Sequence, residues 1–154
     1  MQNMAGYPRG FFQFLLLVFI VLAVTGLLLL PNTLMMRFDW DVPVRLVGGG
    51  WRLATAALHC AFAFVIMVLV GALAGIHMRL GWRRRQNILS GFGQVLLFAV
   101  LVVTAVGIFY LGDEALSRWS SGIHVVVGFV LIVVAFWHGE SGRRLHRRRV
   151  QSRT

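Results

Sequence analysis

The chain has 154 residues, 58% hydrophobic and 13% charged, with a formal net charge of +10. A soluble domain of this length needs about a quarter of its residues charged, and disordered chains are polar. The composition excludes both and points to an integral membrane protein. The basic residues are fifteen arginines and no lysine, against five acids, and the isoelectric point is about 11.8. In a soluble protein that would suggest nucleic acid; membrane proteins instead concentrate basic residues in cytoplasmic loops, so no nucleic-acid partner is expected. The single cysteine, Cys60, permits no intramolecular disulfide, and no Cys-x-x-Cys-His motif offers covalent c-type haem attachment.

Crossing a bilayer takes about 20 helical residues, and four apolar stretches are that long. The first runs from about Phe11 to Leu30 and ends at Pro31. Arg9 precedes it as in a secretion signal, but a signal's apolar core is about 7–15 residues and ends in small residues. This stretch ends in Leu-Leu-Leu-Leu-Pro-Asn-Thr and reads as a retained anchor. The second runs from about Leu53 to Ile76, the third from Gly91 to Leu111, and the fourth from Trp119 to His138, followed by Gly139 and a basic tail. Alternating β-barrel patterning is absent, so helices are the spanning elements. Short connections make sequential neighbours antiparallel. The expected fold is all-α: one domain over 1–154, an up-down bundle of four transmembrane helices at about 11–30, 53–76, 91–111 and 119–138, with a basic tail from about 139.

Arginines fix the orientation. Arg9, Arg79, Arg83, Arg84, Arg85, Arg143, Arg144, Arg147, Arg148, Arg149 and Arg153 fall on one side; Arg37, Arg45, Arg52 and Arg118 fall on the other. The positive-inside rule then makes both termini cytoplasmic. Trp40, Trp51, Tyr110 and Trp119 lie near the outer span ends, and Trp82 and Trp137 near the inner ones, as an aromatic belt. The Arg-rich tail is expected to be solvated or resting on anionic lipid.

The span interiors hold no Asp, Glu, Arg or Lys, but they hold histidine. His59 and His77 lie near the two ends of span two, and His124 and His138 near the two ends of span four, while spans one and three have none. An ionisable side chain inside a membrane is costly and marks function by default. At about 3.6 residues per turn, a separation of 18 brings His59 and His77 to one face, and a separation of 14 does so for His124 and His138 to within about 40°. Each of two parallel helices can thus present two imidazoles, pairing His59 with His124 and His77 with His138. Two facing imidazoles can take the two axial positions of a haem iron. Ala63 and Gly128, each four residues beyond a histidine, would let a flat macrocycle approach the backbone. The intervals rise by about 27 Å and about 21 Å, so the two levels match only with helix tilt. His146 is expected to be solvated in the tail. Cys60 points about 100° away from its neighbour His59, which argues against a shared metal site. Zinc lacks a carboxylate to orient its ligands at membrane depth, and Met35 and Met36 read as interfacial packing.

From His59 to His138 the chain resembles the di-haem b-type cytochrome subunits of membrane formate dehydrogenases and hydrogenases. It resembles still more the small bacterial four-helix b-type cytochromes, among them a group known as a four-helix domain of unknown function. The residues that carry the resemblance are Leu58-His59, Ile76-His77, Gly81-Trp82-Arg83-Arg84-Arg85-Gln86-Asn87, Ser90-Gly91, Tyr110-Leu111-Gly112-Asp113-Glu114-Ala115-Leu116, Trp119-Ser120-Ser121, His124-x3-Gly128 and His138. The resemblance implies a bacterial inner membrane, one or two haem b groups with bis-histidine ligation, and electron transfer between a redox partner protein and a quinone or second partner. Arg52 and Arg118 stand at the depth of outer haem propionates, and Arg79 and Arg83 at that of inner ones. With no flavin or nucleotide motif and no acid–base set, the chain is expected to be an electron-transfer subunit, not a complete dehydrogenase. The alternative is a haem-free scaffold or accessory subunit whose histidines tie helices together by bonds of around 1 kcal/mol. A small transporter is disfavoured, because no intramembrane carboxylate and no broken helix pair is present.

Overall fold

A computed structural model describes residues 7–44, 46–83, 85 and 88–151, with their side chains except those of 145–150. Among these residues the regular structure is helical throughout. Helix α1 covers Phe11–Phe38; α2 covers Gly49–Leu73 and runs through a π-helical turn, Ala74–Met78, into the short α3, Arg79–Arg83; α4 covers Ile88–Tyr110 and α5 covers Glu114–Gln151. Four helical runs, Phe11–Phe38, Gly49–Arg83, Ile88–Tyr110 and Glu114–Arg144, are long and apolar enough to cross a membrane. The protein is an all-α, multi-pass membrane protein, as its composition implies.

The chain divides into two compact units, Met1–Arg79 and Leu80–Thr154. The first packs α1 against α2, and the second packs α4 against α5. Most large apolar side chains point outward: Phe64, Val68 and Leu89 are each more than 70% exposed. In lipid such faces gain nothing by meeting one another, so helix contacts are made by small and hydroxyl side chains. The buried residues follow that rule. Beside Val18, Ile66, Leu69 and Leu131, they include the hydroxyls of Thr25, Ser90, Thr104, Ser117 and Ser121. At Gly107 the two helices of the second unit come so close that a Cβ would meet Ser120 Oγ and lie 2.9 Å from Ser120 Cβ.

The helix ends explain where the sequence boundaries differ from the structure. Pro31 was expected to end the first span, yet α1 continues through it for seven more residues. Proline removes one backbone donor, the one that would have met the Leu27 carbonyl, but is tolerated in a membrane helix, where a break would free more backbone groups than the proline does. The helix stops at Asp39, whose left-handed backbone (φ 52°) turns its N–H back to the Leu34 carbonyl. Asn32 Nδ2 donates to the Val47 carbonyl at 2.9 Å and ties down the following loop. Between α4 and α5 the turn is short, and Asp113 caps α5: its Oδ1 accepts the Leu116 N–H at 2.8 Å. The basic segment after Gly139 continues α5. Glu140 pairs with Arg143 at 3.0 Å and Arg144 at 3.3 Å, one helical turn on.

Candidate functional site

In the first unit the buried Thr25 sits midway along α1. Its Oγ1 is 2.7 Å from the Val21 carbonyl and 3.2 Å from that of Leu22. The same oxygen lies 2.8 Å from Nδ1 of His59 on α2. A hydroxyl has one hydrogen and a carbonyl has none, so the short contact to Val21 commits that hydrogen to the backbone. Thr25 Oγ1 can then only accept, and Nδ1 of His59 is the donor. This tautomer, assigned from the hydrogen-bond network, places the ring's lone pair on Nε2. Gly26 lies against the ring, and a Cβ there would sit 3.4 Å from His59 Cε1.

The second unit repeats the arrangement. Thr104 Oγ1 on α4 donates to the Val100 carbonyl at 2.8 Å, lies 3.1 Å from the Leu101 carbonyl, and is 3.0 Å from Nδ1 of His124 on α5. Deeper along the hairpin, Ser90 Oγ is 2.8 Å from Nδ1 of His138. Here too a glycine adjoins the hydroxyl, and a Cβ at Gly91 would lie 3.7 Å from His138 Cε1. Ser90 precedes Thr104 by the same 14 residues that separate His124 from His138. Two antiparallel helices in constant register therefore present two hydroxyl–imidazole pairs, about 21 Å apart along the axis.

His77 is held differently. It lies within the π-helical turn, and its backbone N–H donates to the Tyr7 hydroxyl at 3.0 Å. That hydroxyl is in turn 3.4 Å from the Ala72 carbonyl and 3.5 Å from that of Leu73. In an α-helix the His77 N–H would bond the Leu73 carbonyl directly. The tyrosine hydroxyl stands between them, the kind of insertion that breaks a regular helical ladder. The His77 ring meets Phe12 edge-on with centroids 6.4 Å apart, and Tyr7 stacks on Phe11 at 4.6 Å. His59 and His77 thus both turn toward α1, with a π turn where the even α-helical count from 59 to 77 predicts none.

The remaining sequence candidates are placed as follows. A Cβ on Gly128 would meet nothing within 4 Å, and Ala63 is half-buried. Arg52 Nη1 donates to Met36 Sδ at 2.6 Å, beside a cavity of about 230 Å³ lined by Asn32, Met35, Met36, Gly48 and Gly49 as well as Arg52. Arg118 pairs with Glu114 at 2.8 Å on an exposed face of α5. Arg79 and Arg83 are exposed at the two ends of α3, and Cys60 is half-buried. Arg45, Arg84, Gln86, Asn87 and Arg153 lie outside the described residues, as does the side chain of His146.

Sequence reasoning missed Thr25, Thr104 and Tyr7, and had Ser90 only as part of the resemblance, with no role. A signal was present for two of them: hydroxyls spaced by 14 on one span answer histidines spaced by 14 on the next. Chemically, the arrangement offers imidazoles that meet a hydroxyl of the neighbouring helix through Nδ1, with the lone pair of His59 and His124 assigned to Nε2. That suits them to metal coordination. No protein-family model, no curated protein and no solved structure matches the chain.

Proposed function

We propose that the protein is a b-type cytochrome membrane subunit that carries electrons across or within the membrane. His59, His77, His124 and His138 would hold the haem iron, in the couples that sequence spacing gives, His59 with His124 and His77 with His138. The observation that carries this is the hydrogen bonding of three span histidines through Nδ1 to a hydroxyl on the neighbouring helix. Histidines that ligate metals characteristically engage their other ring nitrogen in this way, so the residues present fit the group. Haem held by two imidazoles supplies a one-electron couple with no open coordination position. The chain's own part is to orient the imidazoles, exclude water from them, and keep them in a low-dielectric layer that sets the potential. Small side chains at Ala63 and Gly128 leave room at the backbone. Arg52, Arg79, Arg83 and Arg118 are the candidates for meeting propionates, Arg118 by exchanging its Glu114 partner. A redox protein on one face and a quinone or second protein on the other complete the path. Both termini face the cytoplasm of a bacterial inner membrane, with lipid around the spans.

The same hydrogen bonds also favour a second reading, a haem-free scaffold in which histidines join helices. Bonds of that kind contribute about 0.6 kcal/mol on average in a membrane, and any polar pair could supply them. Expression with ample haem, followed by oxidised and dithionite-reduced spectra of the purified chain, separates the two. A cytochrome gives a reduced band set that requires the histidines, whereas a scaffold is colourless at full yield.

A further inference from the structure

We infer that Thr25 and Thr104 are positioning residues for metal ligation: their hydroxyls fix the tautomer and ring plane of His59 and His124 and set the donor strength of Nε2. Ser90 is the third instance, on His138. The inference rests on the haem reading for its consequence, but its structural core is a property of the chain alone.

Three features distinguish these hydroxyls from incidental helix contacts. Both threonines are themselves anchored, by bonds of 2.7 Å to Val21 and 2.8 Å to Val100, so each presents a lone pair in a fixed direction. Both are buried, at 5% and 7% exposure, where a polar group that faces apolar surroundings is costly to leave unmatched. And each meets the same ring nitrogen, Nδ1, at 2.8 Å in one unit and 3.0 Å in the other. A helix tie could be made equally well through Nε2 or by a hydroxyl donating to the ring. Agreement on nitrogen and on direction is what ligand orientation requires. The glycines beside Thr25 and Ser90 let the ring lie close to the helix that holds it, which restricts rotation about the Cβ–Cγ bond.

The consequence follows from the chemistry of the ring. An acceptor at Nδ1 draws the N–H bond toward itself and makes Nε2 more electron-rich. The ferric iron gains more from this than the ferrous, so removing the acceptor weakens haem binding and raises the potential. Removing such an outer partner typically costs about 10–100-fold in affinity. Each tenfold by which the hydroxyl favours the ferric over the ferrous form corresponds to about 59 mV for one electron.

The test uses the full chain in detergent, labelled with 15N-histidine. In the haem-free wild type, two-bond 15N–1H correlations should show His59 and His124 as the Nδ1–H tautomer; the Nε2–H form at both would overturn the inference without any substitution. Thr25→Val and Thr104→Val keep the branched shape and remove the hydroxyl. Thr104→Val should lose the tautomer bias of His124 and Thr25→Val should weaken that of His59, whose ring also bonds the Leu22 backbone carbonyl; each should weaken haem retention within the stated range and raise the midpoint potential. Thr25→Ser and Thr104→Ser should restore all three. If the wild type binds haem and the valine variants keep both tautomer and potential, the positioning role is wrong and the cytochrome reading stands. If the wild type binds no haem, both fall.

Discussion

The tightest contact of the second unit makes the sharpest stability prediction. In Gly107→Ala the new Cβ would lie 2.9 Å from Ser120 Cβ. Two such carbons rest about 3.5–4.0 Å apart, so α4 and α5 must separate locally by roughly 0.6–1.1 Å. Ser120 Oγ can rotate out of the way, but its Cβ moves only with the helix. Thr104 and His124 stand one turn from this contact, joined at 3.0 Å. A separation of that size carries their bond past about 3.5 Å, beyond useful hydrogen-bonding range. Overpacking of this kind costs about 1–3 kcal/mol, and the lost interhelical bond about 0.6 kcal/mol more. Alanine's higher helix propensity offsets about 1 kcal/mol, leaving a net loss of roughly 0.6–2.6 kcal/mol. Equilibrium unfolding of the full chain in mixed micelles, followed by helical circular dichroism, measures it. The partner substitution Ser120→Gly removes the opposing Cβ and should recover most of the loss when combined with Gly107→Ala. An alanine variant as stable as wild type, or a double variant no better than the single one, would refute the close-approach argument.

Three further outcomes are expected. Asp113→Ala removes the oxygen that accepts the Leu116 N–H and should cost about 1 kcal/mol, with most of it retained in Asp113→Asn; the same unfolding assay reads it. Tyr7→Phe deletes the hydroxyl inserted at the π turn, so amide exchange at His77 should accelerate while Ile66 and Leu69 remain as protected as before. Glu140→Gln should leave unfolding unchanged, because its ion pairs with Arg143 and Arg144 are exposed and screened.

How far the sequence reveals this protein depends on which forces are local. The four spans were legible because about 20 consecutive apolar residues have no other stable environment. Their ends were less so. Pro31 normally stops a helix in water, but lipid leaves the chain no better alternative than to stay helical, and α1 runs on to Phe38. The segment after Gly139 was legible as a basic, solvent-facing stretch, and Arg143 and Arg144 are indeed exposed, but its helical conformation, α5 continuing to Gln151, was not. The histidines were conspicuous as basic side chains inside two spans that hold no Arg or Lys. Their hydroxyl partners were not, because Ser and Thr are common and cheap in membrane helices and become informative only once the antiparallel register is known. The π turn was invisible for a related reason. It depends on Tyr7, which lies 70 residues from His77 in sequence.

The ligand role of the four histidines is tested most directly by counting bound haem. The full chain, produced with excess haem, is purified and its haem determined as the pyridine complex against protein concentration, beside His59→Ala, His124→Ala and His77→Ala. If the histidines are axial ligands, wild type carries one or two haems per chain. His59→Ala and His124→Ala then lose the same site, and His77→Ala loses only the other where two are present. Wild type recovered in full yield without haem, or haem retained undiminished in all three variants, would contradict it.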